Sequence, residues 1–240
     1  MSDACFIATD VDVPVGGLLR LDGPEGRHAA KVRRIRVGES VLIMDGRGHA
    51  VRGPAEVVGA ESIDVRVVEQ LSEPVSPNRW IAVQALAKAG RGELAIEALT
   101  ELGADEFVAW GAARSIVQWQ GKIDKGIAKF AATAREAAKQ TRRFTIPQVE
   151  YATTAQVCER IRAASMSVVL HESATDWLDA TFTVPPGDVL FVIGPEGGIT
   201  LEELAAFQDA GAVVKRVAQH VLKTSTAGVV ALAQLQVLVK

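Results

Sequence analysis

The run Val189-Leu190-Phe191-Val192-Ile193 entering Gly194-Pro195-Glu196-Gly197-Gly198 constrains this chain more than any other segment. Consecutive apolar residues of this length suit a central strand of a parallel sheet, buried on both faces. Thr200-Leu201-Glu202-Glu203 follows as a capping box and starts a helix near Leu201. The glycine-rich turn therefore stands at the C-terminal end of a strand, where open α/β sheets bind ligands. Glycines at 194, 197 and 198 allow a sharp turn and a close approach of backbone to ligand. On spacing alone a tight strand-to-helix turn with no ligand serves as well. No Gly-Lys-Ser/Thr follows, which excludes a Walker A loop, and G-x-G-x-x-G is absent, which disfavours a dinucleotide fold.

The rest of the chain alternates in the same way. Trp80 to Ala85, Glu106 to Trp110, Val168 to Leu170 and Val213 to Val217 read as strands. Glu93 to Leu102, Lys122 to Thr141 and Ser225 to Val239 read as helices, so residues 79–240 form an α/β domain with a parallel sheet. Residues 73–78, with Pro74 and Pro77, read as a linker. Residues 1–72 read as a small β-rich, barrel-like unit with strands at Cys5 to Ala8, Val41 to Met44 and Val65 to Val68. Asp45-Gly46 marks a hairpin, and Glu25 to Arg34 can hold a short helix.

Two further strand ends resemble the first. Thr224-Ser225-Thr226-Ala227-Gly228 opens the last helix, whose free backbone N–H groups can meet an acceptor, or which Thr224 or Ser225 simply caps. Leu170-His171-Glu172 ends another strand, and His171 reads either as a base or ligand or as a structural hydrogen-bonder. Composition bounds the rest. Hydrophobic residues make up 48% and charged residues 23% of the 240, as in an ordinary soluble protein. No apolar run approaches the roughly 20 residues of a membrane span, and the N-terminus lacks a signal-peptide pattern. Cys5 and Cys158 are too few for a disulfide framework or a Cys-based metal site, which points to a reducing cytoplasm and no metal. The net charge of −3 argues against a generic polyanion binder, but basic residues cluster at Lys31, Arg33, Arg34 and Arg36, and at Lys139, Arg142 and Arg143.

Gly194 to Gly198, followed by Val221-Leu222-Lys223-Thr224-Ser225-Thr226-Ala227, resembles the RsmE family, SPOUT-class methyltransferases that methylate N3 of a uridine in small-subunit ribosomal RNA. The block His28 to Gly38 is similar to that family's N-terminal pattern. Lys88, Arg91, Glu93 with Thr100 to Gly103, and Glu136 to Gln140 with Arg143 and Pro147, match two more blocks. The resemblance implies a PUA-like N-terminal β-barrel and a C-terminal SPOUT sheet tied in a trefoil knot. It implies a homodimer acting on 16S rRNA or the small ribosomal subunit, with S-adenosylmethionine as cofactor. Carried over by position, the cofactor residues are Leu170, His171, Ile193, Gly194, Pro195, Glu196, Gly197, Gly198, Val217, Gln219, Val221, Leu222, Thr224, Thr226 and Ala227.

The chain departs from the family where Lys223-Thr224-Ser225-Thr226 replaces Arg-Thr-Glu-Thr and where His220 replaces Arg. Lys223 keeps a charge without the bidentate fork, and Ser225 removes a carboxylate, so a mechanism that uses that group as base cannot operate here. Methyl transfer from a sulfonium is an in-line displacement, for which the protein supplies alignment and help in forming the N3 anion. Lys223 is the candidate for that electrostatic role, with Arg91 or Arg114 helping from the partner subunit. His28, Lys31, Arg33, Arg34, Arg36, Lys88, Arg114, Lys139, Arg142 and Arg143 are candidates for RNA contact. The alternatives are a non-catalytic ribosome-assembly factor on the same fold, and a SPOUT enzyme for another RNA nucleotide.

Overall fold

The computed structural model describes residues Asp3 to Val239. The chain forms two compact units. The first runs to Val75 and regains Ala138–Ile146; the second holds Ser76–Ala137 and continues from Pro147.

In the first unit β1 (Ala4–Ile7), β2 (Leu18–Leu21), β3 (Ser40–Met44), β4 (His49–Val58), β5 (Ile63–Arg66) and β6 (Glu69–Ser72) form one sheet. Its order is β1-β3-β4-β5-β2, with β6 added on β4, and only the β1–β3 pair is parallel. Phe6, Leu19, Leu21, Val41, Ile43, Val51, Ile63 and Val65 share one core. They come from strands at both ends of that order, so the sheet must curl on itself as a barrel does. Asp45 closes the β3–β4 hairpin, its Oδ1 accepting from the Arg47 amide at 2.7 Å and the His49 amide at 3.0 Å. The short helix is present as α1 (Gly23–Arg27), but it continues as a π-helical stretch, His28–Arg33, ended by Arg34 with a left-handed φ of 54°.

β4 completes the hairpin expected at Asp45-Gly46, but its extent was not anticipated, because Gly53-Pro54 interrupts its pattern. These residues stand at a corner. The ladder to β6 covers His49 to Arg52 and the ladder to β5 begins at Ala55, so the missing N–H of Pro54 costs nothing there. The single linker at 73–78 is likewise incomplete as a description. Ala138, Phe144 and Ile146 pack on Ile7, Leu42, Met44 and Ala50, so the chain revisits the first unit to cover an apolar outer face of its sheet.

On this face burial pushes the Cys5 thiol up to about 11, against the lowering influence of Lys139 and Arg142, and burial also raises Cys158. Only the thiolate reacts. Native protein at pH 7.5 is expected to give a negligible signal with Ellman's reagent, and two thiols per chain after unfolding in guanidinium. Prompt labelling of the native chain would contradict the buried placement.

The second unit contains β7 (Asn78–Ala85), β8 (Glu106–Trp110), β9 (Gln148–Ala152), β10 (Met166–Leu170), β11 (Gly187–Ile193) and β12 (Val213–Lys215). They pair in the order β12-β10-β11-β7-β8-β9, every ladder parallel, as the apolar runs require. Helices α2 (Arg91–Glu101), α3 (Ile123–Thr141), α4 (Thr154–Ala163), α5 (Leu201–Asp209) and α6 (Thr224–Val237) complete the chain, α3 passing into the first unit at Ala138. One face of the sheet buries Ile96 and Leu99 of α2, Phe130 of α3 and Leu232 and Leu235 of α6. The other buries Val157 and Ile161 of α4 and Phe207 of α5.

Successive strands after β7 run outward through β8 and β9, while β11, β10 and β12 lie on its other side. The order thus reverses at β7/β11, and the crevice beyond the C-terminal ends of those strands is where such sheets bind ligands. Three local expectations shift. The strand expected to Val217 ends at Lys215, because Arg216 instead exchanges backbone hydrogen bonds with Asp176 and Leu178. β9 and α4 were unforeseen, although the capping box of Thr153 and Gln156 was there to be read. Among the described residues no helix is long and apolar enough to cross a membrane, and no group of His, Cys, Asp or Glu could hold a metal ion.

Candidate functional site

A cavity of about 360 Å³ opens beyond the C-terminal ends of β10, β11 and β12. That is within the ordinary range for small-molecule sites. Segments far apart in sequence form its wall: Leu170 to Glu172, Ile193 to Ile199, and Arg216 to Thr224 with Ala227. Of the residues expected there, Leu170, His171, Ile193, Gly194, Pro195, Glu196, Gly198, Val217, Val221, Leu222, Thr224 and Ala227 line the cavity. Gly197, Gln219 and Thr226 do not, but belong to the same loops. Lys223 lines it, and so does Arg91 of the same chain, which was expected to help from the partner subunit. Ile199, Arg216 and Ala218 also line it without having been singled out.

The glycine loop is shaped by the chain itself. Gly198 has a φ of +75° and donates its N–H to Pro195 O at 2.9 Å, closing a turn that a side-chain-bearing residue would strain. A Cβ on Gly197 would lie 3.0 Å from the backbone oxygen of Arg114. A turn and packing thus each require a glycine here, and Gly198 also lines the cavity. The cavity's chemistry comes from its neighbours.

Glu196 is the charged group of this loop. Its Oε1 accepts from Arg91 Nη1 at 3.1 Å and from the Lys88 amide at 3.3 Å, while Oε2 is buried with no partner among the described residues. Burial pushes the carboxyl up, but backbone amides and the Arg91 guanidinium outweigh it and hold the group below its ordinary range. Glu196 is therefore ionised at neutral pH, and Arg91 carries a fixed counter-ion. His171 accepts at Nδ1 from Ser173 N at 3.3 Å and lies 2.8 Å from Ser173 Oγ, a local turn that leaves the other ring nitrogen uncommitted. Arg216 braces the third loop, donating from Nε to Ala218 O at 3.0 Å and from Nη2 to Gln219 O while its guanidinium lies over Trp177.

Glu203, in the first turn of α5 after the glycine loop, does not line the cavity and is buried. Its Oε2 accepts from the Thr200 amide, and its Oε1 from the Ala113 amide at 2.8 Å and from Thr154 Oγ1 at 3.3 Å. One carboxylate thus ties α5, α4 and the loop after β8. Glu203→Ala removes hydrogen bonds to a charged acceptor worth about 1.5–3 kcal/mol each gross of compensation. A fall in Tm of roughly 5–10 °C is expected by calorimetry for a chain of this size; a shift under about 2 °C would show that the clamp is dispensable.

The residues expected to contact RNA are not equivalent. Arg33, Arg34, Arg36 and Arg142 are exposed and have no acidic partner among the described residues. Lys31 is exposed but paired with Glu61 at 2.6 Å. Lys139 departs from the expectation: its side chain is only 10% exposed and pairs with Glu25 at 3.0 Å, because this stretch of α3 covers the first unit's sheet. His28 is half-buried with its ring edge-on to Phe6, and Arg143 is half-buried. In the second unit Lys88 and Arg114 are exposed, and Arg114 Nη1 reaches Gly197 O at 3.4 Å.

Comparison with known proteins agrees with this architecture. The RNA methyltransferase domain family matches residues 74–236, and the RNA methyltransferase PUA domain family matches residues 21–68. Ribosomal RNA small subunit methyltransferase E of Mycobacterium bovis is 44% identical, covering 98% of this chain and 92% of that protein. The Bacillus subtilis protein of that name is 27% identical, covering 88% and 87%. Among solved structures, a Legionella pneumophila protein described as a methyltransferase in complex with SAM has a TM-score of 0.88 at 26% identity, covering 100% of this chain and 99% of that one. The methyltransferase E of Neisseria gonorrhoeae, bound to S-adenosyl methionine, has a TM-score of 0.88 at 23% identity, covering 99% and 98%, and speaks to the fold. Matched along almost its whole length in both domains, this chain belongs to the ribosomal RNA small subunit methyltransferase E family of RNA methyltransferases.

Proposed function

We propose that this protein transfers a methyl group from S-adenosylmethionine to N3 of a uridine in 16S ribosomal RNA, acting as a cytoplasmic homodimer. The observation that carries the reading is the convergence of three loops on one cavity at the C-terminal ends of β10, β11 and β12 of an all-parallel sheet. The residues present fit the cofactor. Leu170, Ile193, Leu222 and Ala227 offer apolar walls for an adenine ring, and ionised Glu196 lines the same cavity as an acidic group. When bound, the cofactor supplies an electrophilic methyl on a sulfonium.

The protein's part is alignment and charge. Lys223 precedes the first turn of α6, lines the cavity and makes no side-chain capping bond. Its ammonium and the positive end of α6 are placed to favour the anion formed when uridine N3 loses its proton. Arg91, neutralised by Glu196, serves by holding the glycine loop. Arg33, Arg34, Arg36 and Arg142 are the phosphate contacts of this reading. The trefoil knot belongs to it as well: Trp177 bridges to Arg216 and Val184 to Val239, which supports a 171–187 segment wrapped around the C-terminal stretch.

The test combines calorimetric titration with S-adenosylmethionine and methylation of small subunits from a strain lacking the native enzyme, mapped by mass spectrometry. One new N3-methyluridine in 16S rRNA is expected. Methylation of a different nucleotide would overturn the base assignment, and absence of cofactor binding would favour an assembly factor on this fold.

A further inference from the structure

We infer that Gln84 is a positioning residue of the cavity: through Thr224 it fastens the start of α6 to the loop after β11, and so sets cofactor affinity without touching the cofactor. The inference rests on the cofactor reading above. Gln84 is 3% exposed, near the end of β7, an otherwise apolar run from Trp80 onward. Its ladder partner is Ile193, so it stands at the β7/β11 reversal where the crevice opens.

Its side chain does not line the cavity but reaches a residue that does. Gln84 Nε2 lies 2.7 Å from Thr224 Oγ1, and Thr224 Oγ1 lies 2.9 Å from Gly194 O. Proton accounting gives this chain a direction. Gly194 O can only accept, so the one hydroxyl proton of Thr224 goes there, and the bond from Gln84 must come from its NH2 group. The second proton of that group points to Ala85 O at 3.3 Å. This orientation leaves Gln84 Oε1 buried without a partner among the described residues. An unmet buried acceptor lowers stability, so as a core residue Gln84 is worse than an apolar one of its size. What it supplies instead is a fixed hydroxyl on Thr224 and a fixed spacing between two walls of the cavity. Without the donor the hydroxyl is held from one side only, and the Gly194 and Thr224 segments can separate.

Gln84→Met keeps length and volume and removes both the donor and the orphan acceptor. The expected result is a Kd and KM for S-adenosylmethionine raised about tenfold, as for one lost hydrogen bond. The kcat and the KM for RNA should stay within twofold, and the Tm should not fall. A merely structural role would lower Tm and active fraction and leave KM alone. Thr224→Val breaks the same bridge from its other end, so Gln84→Met should add little on that background. Unchanged cofactor affinity in Gln84→Met, or a loss fully additive with Thr224→Val, would overturn the inference. Should Gln84→Met not fold, Gln84→Leu and Thr224→Val decide it, and normal affinity in either is the overturning result. A wild-type protein that bound no cofactor would overturn the cofactor reading and this one together, whereas wild-type binding with an indifferent Gln84 removes only the latter.

Discussion

Gly53→Ala is expected to unfold the first unit. A Cβ at this position would lie 1.8 Å from the carbonyl oxygen of Arg66, 2.8 Å from its carbonyl carbon and 3.3 Å from the Val68 amide nitrogen. These are backbone atoms, so no side chain can swing aside. The position is the corner where β4 leaves β6 for β5, and Val68 N is bonded to Arg52 O beside it at 2.9 Å. Relief requires the 66–68 segment to move, which pulls Val65 and Val67 out of the barrel core. Overpacking of this kind costs about 3 kcal/mol or more, a large part of a typical domain's stability of about 5–15 kcal/mol. The substitution should give a mostly insoluble product, or a soluble one with a separate low-temperature transition by circular dichroism. A Tm within about 2 °C of wild type would mean that the β4–β5 crossing has slack.

The second large effect is on turnover. Lys223→Ala is expected to lower kcat about 100-fold, the usual consequence of removing one group that stabilises a developing anion. The Kd for S-adenosylmethionine should remain within about twofold, since backbone and apolar groups form most of the cavity wall. Lys223→Arg should retain most of the turnover, because charge rather than a bidentate fork is what the position supplies. Single-turnover rates beside calorimetric affinities separate the two quantities. An alanine variant with near-normal kcat would remove Lys223 from the chemistry and place the burden on the amides of the first turn of α6 or on a group outside this chain's cavity.

Much of the site was legible because its signals are local. An apolar pentad, a glycine turn and a capping box are consecutive in the chain, and each follows from the conformations its own residues allow. The same holds for Thr224 to Ala227 at the head of α6 and for Leu170-His171 after β10, so the cavity's main walls could be placed on strand ends before any tertiary contact was known. Alternating strands and helices also implied the parallel sheet. The extent of β4, and β9 altogether, were missed for the opposite reason. Gly53-Pro54 breaks a pattern that the partner change at the corner makes acceptable, and β9 is a short edge strand with polar residues on one face.

By itself, then, the sequence determined the α/β class, the position of the loops and the family to which they belong. What those loops do to one another came from contacts between distant segments. Folding set Glu196 against Arg91, turned Lys139 inward onto Glu25, returned Ala138–Ile146 to the first unit, and joined Gln84 to Thr224. Each of these links residues far apart in the chain, and whether they meet depends on strand order, ladder register and side-chain reach. The glycine loop shows the division most clearly. Its turn was written in Gly194 to Gly198, but that Gly198 serves the turn and Gly197 serves Arg114, while Glu196 carries the charge, is a matter of packing.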